Sequence, residues 1–111
     1  MATKDEKEKN LATITVEQFA DKIMPLGEIT YKKMFGGYGV FESGTMFALV
    51  TSEGGVYLKS GEANLSRFEK AGANKHGRMP YYQIPAQVLE NDSQVEEWTQ
   101  EAIEVSKTAK K

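Results

Sequence analysis

The sequence contains no cysteine, and it has only one histidine, one tryptophan and three prolines. Without cysteine the chain can form no disulfide, perform no thiol catalysis and hold no cysteine-ligated zinc. No apolar run approaches the roughly 20 residues that a helix needs to cross a bilayer. The first ten residues are polar, carry charges of both signs and lack an apolar signal-peptide core, so we expect a cytoplasmic protein without a membrane partner.

Length and charge limit the classes of protein that the sequence fits. A chain of 111 residues is expected to form one domain that buries a core without metal or disulfide support. The formal net charge of -2 at pH 7 argues against non-specific nucleic-acid binding. We expect a disordered polar tail over residues 1–12, a single domain over residues 13–107 and a basic tail over residues 108–111.

The most apolar and glycine-rich part of the chain is the stretch from Lys33 to Val50. It contains two β-rich runs, Tyr38 to Glu42 and Thr45 to Thr51, which Ser43-Gly44 separates. A two-residue loop ending in glycine predicts a tight hairpin, because glycine accepts the positive φ that such turns need.

The second run of this hairpin is apolar on both faces. With Phe41 opposite Met46 and Val40 opposite Phe47, alternate side chains point to opposite sides of the sheet. Two apolar faces are typical of a central strand that is covered on each side. One cover is expected to be a helix, and the other a helix, a loop or a second subunit. The residues assigned to the two faces are Met46, Ala48 and Val50 on one, and Phe47 and Leu49 on the other.

The three glycines Gly36, Gly37 and Gly39 raise the question of a phosphate-binding loop. Dinucleotide-binding loops need the spacing G-x-G-x-x-G between a strand and a helix, and here strand-like residues follow. A bend that needs positive φ and close approach of two backbones is the favoured interpretation.

Local patterns predict the remaining elements. Thr15 and Ser93 each begin a capping-box pattern and are expected to start helices. Pro80 argues that the last strand lies at a sheet edge. The predicted order is α-β-β-β-β-α-β-α, which indicates an α+β fold of two layers, a mostly antiparallel sheet with helices packed on it. The elements are a helix ending near Met24, strands at Ile29 to Met34 and Val56 to Lys59, a helix at Ala63 to Ala71, a strand at Met79 to Ile84, a helical turn after Pro85 and a last helix that buries Val95, Trp98, Ala102 and Val105.

Several blocks of residues together resemble a known family. They are Lys33-Met34-Phe35-Gly36-Gly37-Tyr38-Gly39, Met46 to Val50, Tyr57 to Lys59, Glu62-Ala63-Asn64, Tyr81-Tyr82 and Trp98. In this order, from about Tyr31 to about Ile103, they are similar to the N-terminal domain of the TfoX/Sxy family, regulators of natural competence in bacteria.

The resemblance implies a two-layer fold similar to secretion chaperones, with helices on one face of the sheet, and a role in competence and transcription regulation. The residues that it marks for structure or interaction are Lys33, Met34, Phe35, Gly36, Gly37, Tyr38 and Gly39. Two features depart from the family pattern: the segment from Gly72 to Tyr81 is short, and the second domain of full-length competence regulators does not follow.

No group of residues in the sequence predicts catalysis. His76, the single histidine, has Lys75, Gly77 and Arg78 as neighbours and no companion that would make it a general base or a metal ligand. No serine lies in a nucleophile elbow. We therefore expect no enzymatic activity, no catalytic residue, no cofactor and no metal.

Two charged regions are candidate contact surfaces. An acidic face at Glu97, Glu101 and Glu104 is expected to be solvated, with docking of a basic partner as the alternative. Aromatic residues alternate with the basic ones, a pattern also seen in single-strand binders, but aromatic residues on strands more often form the core. The basic contact surface would consist of Lys59, Arg67, Lys70, Lys75 and Arg78.

These observations give three hypotheses of function. The first is a non-enzymatic regulatory module that acts by protein contact, with transcription machinery as a candidate partner. The alternative is a dimeric, chaperone-like protein that binds peptides at an open sheet face or edge. Direct nucleic-acid contact through Lys59 to Arg78 is the weaker alternative. An apolar sheet face without helices also predicts a homodimer.

Overall fold

Five strands form one antiparallel sheet in the computed structural model, which describes residues 11–34 and 36–108. The strands lie side by side in chain order, so each one pairs with its neighbours in the sequence. The third strand is therefore central, as the hairpin pattern predicted. The strands are β1 (Ile29–Met34), β2 (Gly37–Glu42), β3 (Thr45–Val50), β4 (Val56–Lys59) and β5 (Tyr81–Gln83).

The helices pack together on one face of this sheet, which confirms the predicted two-layer α+β fold. The two long helices contact each other and both contact the central strands. A short 3-10 helix, Met24–Leu26, follows the first of them. The α-helices are α1 (Leu11–Ile23), α2 (Leu65–Lys70), α3 (Ala86–Leu89) and α4 (Asp92–Thr108).

The start of α1 differs from the prediction. Within the described residues the helix already includes Leu11, ahead of the predicted cap at Thr15, and Ala12 is fully buried in the core. Residues 11 and 12, which the sequence assigned to a tail, are therefore helical. Burial of Ala12 in the core favours helical structure ahead of Thr15. The rest of the expected N-terminal tail, and residues 109–111 of the expected basic tail, lie outside the described residues.

The start of α4 also differs by a small but clear margin. Asn91, rather than Ser93, caps the helix, since its Oδ1 accepts a hydrogen bond of 3.1 Å from the Gln94 backbone N–H. Asparagine is as good a cap as serine, and the helix therefore starts earlier than the capping-box pattern predicted. The predicted buried stripe of this helix is confirmed at Val95, Trp98, Ala102 and Val105.

One hydrophobic core fills the space between the helices and the sheet. Phe68 of α2 stacks on Tyr82 of β5, with ring centroids 5.3 Å apart, and meets Trp98 of α4 edge to face. These rings close the core at the β5 side. The largest fully buried side chains include Phe19, Ile23 and Val16 of α1, and Phe47, Leu58, Val40, Val50 and Val56 of the sheet.

A β-bulge corrects the predicted pairing of β2 with β3. Phe41 lies opposite Met46 as predicted, but Val40 lies opposite Ala48 rather than Phe47. The additional residue on β3 breaks the alternation, so Phe47 and Ala48 are both fully buried in the same core. Leu49 and Met46 remain on the other face and are only partly buried.

The loop between β4 and α2 depends on a buried asparagine. Asn64 is 1% exposed. Its Oδ1 accepts a hydrogen bond of 2.8 Å from the Gly61 N–H, and its Nδ2 donates one of 3.0 Å to the Lys59 carbonyl. The side chain therefore satisfies two partly buried backbone groups of this loop.

A buried carboxylate joins β2 to the end of α4. Lys107 Nζ donates a hydrogen bond to Glu42, and the Ser43 hydroxyl and the Glu28 backbone N–H donate two more, at 2.9 and 3.2 Å. The hydrogen bond from Lys107 is the largest of the effects that hold the pKa of Glu42 below its usual value of 4.5. This contact connects the last turn of the chain's final helix to the sheet.

We expect Asn64→Ala to lower the free energy of unfolding by roughly 1–3 kcal/mol, because two partly buried backbone groups lose the hydrogen bonds of a buried side chain. Chemical denaturation of the purified protein measures this change. Asn74→Ala is the matched control, since Asn74 is exposed and donates one long hydrogen bond of 3.4 Å. Equal losses of stability in the two variants would contradict the assigned role of Asn64.

We expect Glu42→Gln to lower the thermal midpoint at neutral pH, because the variant loses the charged partner of Lys107. A carboxylate with a lowered pKa stabilises the fold fully above its ordinary value of 4.5, and this contribution is lost as pH falls through the folded-state pKa. The difference from wild type should therefore shrink in acid. Glu62→Gln, at an exposed glutamate, is the control. A difference that is independent of pH would refute the ion pair.

Candidate protein-binding face

The glycine motif, Gly36-Gly37-Tyr38-Gly39, begins in the turn between β1 and β2 and continues into β2. Each of its three glycines is needed for a different structural reason. Gly36 has a φ of +78°, which the turn requires. A Cβ atom on Gly37 would lie 1.9 Å from the Val50 carbonyl oxygen, so only glycine allows β2 to approach β3 there. A strand follows rather than a helix, which confirms the bend and not a phosphate-binding loop.

Gly39 opens space on the sheet face that carries no helix. A Cβ atom added there would lie 2.9 Å from Met34 Sδ and 3.3 Å from Met46 Sδ. The two methionine side chains therefore fold over the position where Gly39 has no side chain. The motif thus places two flexible thioether side chains on the open face of the sheet.

These methionines form part of a groove of about 710 Å³, which we call the methionine groove. Its surface is mostly apolar, and Glu53 of the β3–β4 turn is the acidic residue among those that line it. A groove of this size falls within the range that small molecules or a few peptide side chains fill. The lining residues are Met34, Tyr38, Met46, Leu49, Val50, Thr51, Ser52, Glu53, His76, Met79 and Tyr81.

The loop that precedes β5 forms one wall of the groove. The His76 ring meets the Tyr57 ring edge to face, with centroids 5.0 Å apart, and its backbone N–H donates to the Tyr81 carbonyl at 2.8 Å. His76 Nδ1 is buried and has no hydrogen-bond partner within residues 11–34 and 36–108. Met79 is 43% exposed at the same wall. Contacts of His76 therefore hold the loop in place, whereas the Met79 side chain is exposed to solvent.

Tyr81 lines the groove beside the end of β4, and Lys59 lies next to it. Tyr81 is buried, and burial raises the pKa of its phenol above 10.0. Lys59 pairs with Tyr81 across the two strands, and its ammonium group lies 5.5 Å from the ring centroid. The contact is a cation–π interaction at the edge of the groove.

The structure does not bring the five predicted basic residues together. Lys59 lies on the open face, and Lys75 and Arg78 are exposed in the loop that forms the groove wall. Lys70 and Arg67 lie on α2, on the helical side of the sheet.

Arg67 is also engaged by the acidic face of α4. Its Nη2 lies 3.2 Å from a Glu97 oxygen and 3.3 Å from a Glu101 oxygen, and its guanidinium group covers the Trp98 ring at 5.3 Å. Two of the three acidic residues therefore have an internal partner, and Glu104 accepts a hydrogen bond from Gln100.

Tyr38 of the motif supports the fold around the groove. Tyr38 is tied to α1, because its hydroxyl and that of Thr13 are 3.0 Å apart. Lys33 is exposed beside it on β1. Phe35 lies outside the described residues.

The described residues can also be compared with the requirements of a metal site and of a membrane-spanning helix. No group of three or more histidine and carboxylate side chains within them could hold a metal ion. Among the described helices, none combines the length and apolar character that a membrane-spanning segment needs.

The sequence did not predict the methionine groove, although one signal was available. The chain has five methionines, and three of them, Met34, Met46 and Met79, line this groove. Their convergence depends on the β2–β3 register and on the fold of the loop before β5. Neither feature produces a recognisable spacing of residues in the sequence. Met79 had been assigned to the last strand, whereas β5 begins at Tyr81.

Comparison with known proteins places this fold in a family. The model of the TfoX N-terminal domain matches residues 21–106, a range that contains the glycine motif and the whole methionine groove. The DNA transformation protein TfoX1 of Aliivibrio fischeri (strain ATCC 700601 / ES114) is 37% identical over 59 residues, which are 53% of this chain and 28% of that protein. Because the family model covers most of the sequence, the chain belongs to the TfoX N-terminal domain family.

Proposed function

We propose that the chain is a non-enzymatic regulatory module of bacterial DNA transformation that acts by contact with another protein. Membership of the TfoX N-terminal domain family supports the biological role, together with a relative named as a DNA transformation protein. The matched segment spans 28% of that relative, so the role of the whole relative is carried over here as part of the proposal.

The observation that carries the contact mechanism is the methionine groove. The family motif builds it, since Gly39 leaves room for Met34 and Met46 on the open sheet face. Apolar surface with flexible thioether side chains is typical of sites that bind other polypeptides. The surroundings of His76 do not favour acid–base chemistry, because within the described residues no side chain accepts or donates a hydrogen bond at its Nδ1 to orient the ring.

A second candidate function is a dimeric, chaperone-like protein that binds peptides. The same open face favours it, because apolar surface without a helix can receive a second copy or an extended segment. Transcription machinery as the partner and a cytoplasmic location complete the first proposal.

Light scattering across a dilution series measures the mass of the protein and decides whether a homodimer forms.

Deletion of the gene in its host should lower the frequency of transformation by added DNA, and a plasmid copy of the wild-type gene should restore it. The purified protein should leave the mobility of a labelled DNA duplex unchanged at low salt, because we assign its action to protein contact. Unchanged transformation after deletion would argue against the regulatory role. A mobility shift that weakens as salt rises would favour direct DNA binding instead.

A further inference from the structure

The methionine groove has a distribution of charge that indicates what it binds. Its lining is mostly apolar and contains no lysine or arginine, but cations lie on positions next to the lining residues. Lys32 on β1 lies opposite Gly39, and cross-strand partners share a face, so Lys32 stands on the open face beside Met34 and Met46. The groove is therefore bounded by positive charge on its β1 side.

The opposite side is also positive. Lys59 lies at the end of β4, over the Tyr81 ring that lines the groove. Arg78 is exposed and directly precedes the wall residue Met79 in the loop before β5. Lys75 pairs with Tyr82, whose ring packs on Phe68, so it lies on the helical side of the sheet. Cations thus stand on two sides of the same apolar surface.

These cations have no counterions within the part of the chain that the structure describes. The ion pairs of that part use Lys22, Arg67 and Lys107. Lys32, Lys59 and Arg78 take part in none of them. A partner with carboxylates would therefore gain new ion pairs without breaking existing ones.

We propose that the methionine groove binds an acidic amphipathic segment of a partner protein. Apolar side chains of that segment fill the space between Met34, Met46 and Met79. Its carboxylates pair with Lys32, Lys59 and Arg78. Methionine side chains adapt to different apolar shapes, so the groove selects for charge and amphipathic pattern more strongly than for one sequence.

Glu53 gives the bound segment a preferred orientation. It lines the groove at the β3–β4 turn, and Lys59 lies at the other end of β4. The acidic side chains of the partner therefore face the Lys59 end, and a neutral or basic residue lies near Glu53. The proposal rests on the function proposed above, since it names the kind of partner that the regulatory module contacts.

The test begins with selection from a displayed library of random linear peptides against the intact protein. Enriched peptides should combine several apolar residues with a net negative charge. A synthetic copy of an enriched peptide, carrying a fluorophore, then allows affinity to be measured by anisotropy. Enrichment of neutral or basic peptides, or no enrichment, would overturn the proposal.

Matched variants locate the binding surface. Met79→Glu should weaken binding by about tenfold or more, because it places a charge on the apolar surface that the peptide covers. Met24→Glu is the control at a methionine that is 53% exposed and does not line the groove. Met79 lies in an exposed loop, and thermal unfolding should show that both variants fold. Equal peptide binding by the two variants would exclude the methionine groove as the binding site.

A second pair of variants tests the charged rim. Lys59→Glu should weaken peptide binding by about three- to tenfold at low salt, and less at high salt because ions screen the rim. Lys70→Glu changes the net charge equally, but at an exposed position on α2, on the helical side of the sheet. Equal effects of the two charge reversals would show that binding depends on net charge alone, which would contradict the assigned rim.

Two further results separate this inference from the proposed function. If deletion abolishes transformation but a Met79→Glu copy restores it fully, the groove proposal fails and the regulatory role stands. If acidic peptides bind the groove but deletion has no effect, the reverse holds. A wild-type dimer that Met79→Glu converts to a folded monomer would show that a second copy occupies the groove, and would overturn the proposal.

Discussion

The β-bulge between β2 and β3 is the constraint on which the rest of the molecule depends. It directs the Phe47 and Ala48 side chains into the same core, whereas regular alternation would have left Phe47 on the open face. A large aromatic side chain is thereby moved from the uncovered side of the central strand to the covered side. The helices gain a well-filled core, and the opposite face keeps the smaller, more flexible Met46 and Leu49.

The glycine motif complements this arrangement on the neighbouring strand. Gly37 lets β2 approach β3, and Gly39 gives Met34 and Met46 the volume that a side chain would occupy. The same short segment therefore fixes the register of the sheet and shapes the candidate binding surface. A larger residue at Gly37 would meet the Val50 backbone and disturb the sheet, whereas one at Gly39 would displace the Met34 and Met46 side chains and reshape the groove.

Sequence patterns predicted the elements of the fold well and their junctions less well. Strand β1 was predicted with its observed limits, and the buried stripe of α4 followed from helical spacing. Capping patterns misplaced both long helices, because Thr15 and Ser93 compete with packing and with a neighbouring cap at Asn91. The methionine groove was not predicted, since it requires three segments that are distant in the chain, and a bulge leaves no local signature.

The chain-order sheet also has a consequence for how the protein reaches its structure. Every strand pairs with a neighbour in sequence, so most of the sheet can assemble through short-range encounters, which favours rapid folding. The contact between α1 and α4 is different, because it joins segments near the two limits of the described chain. We expect this helix pair to dock after the strands have met, and so to complete the cover over one face while the other stays accessible throughout.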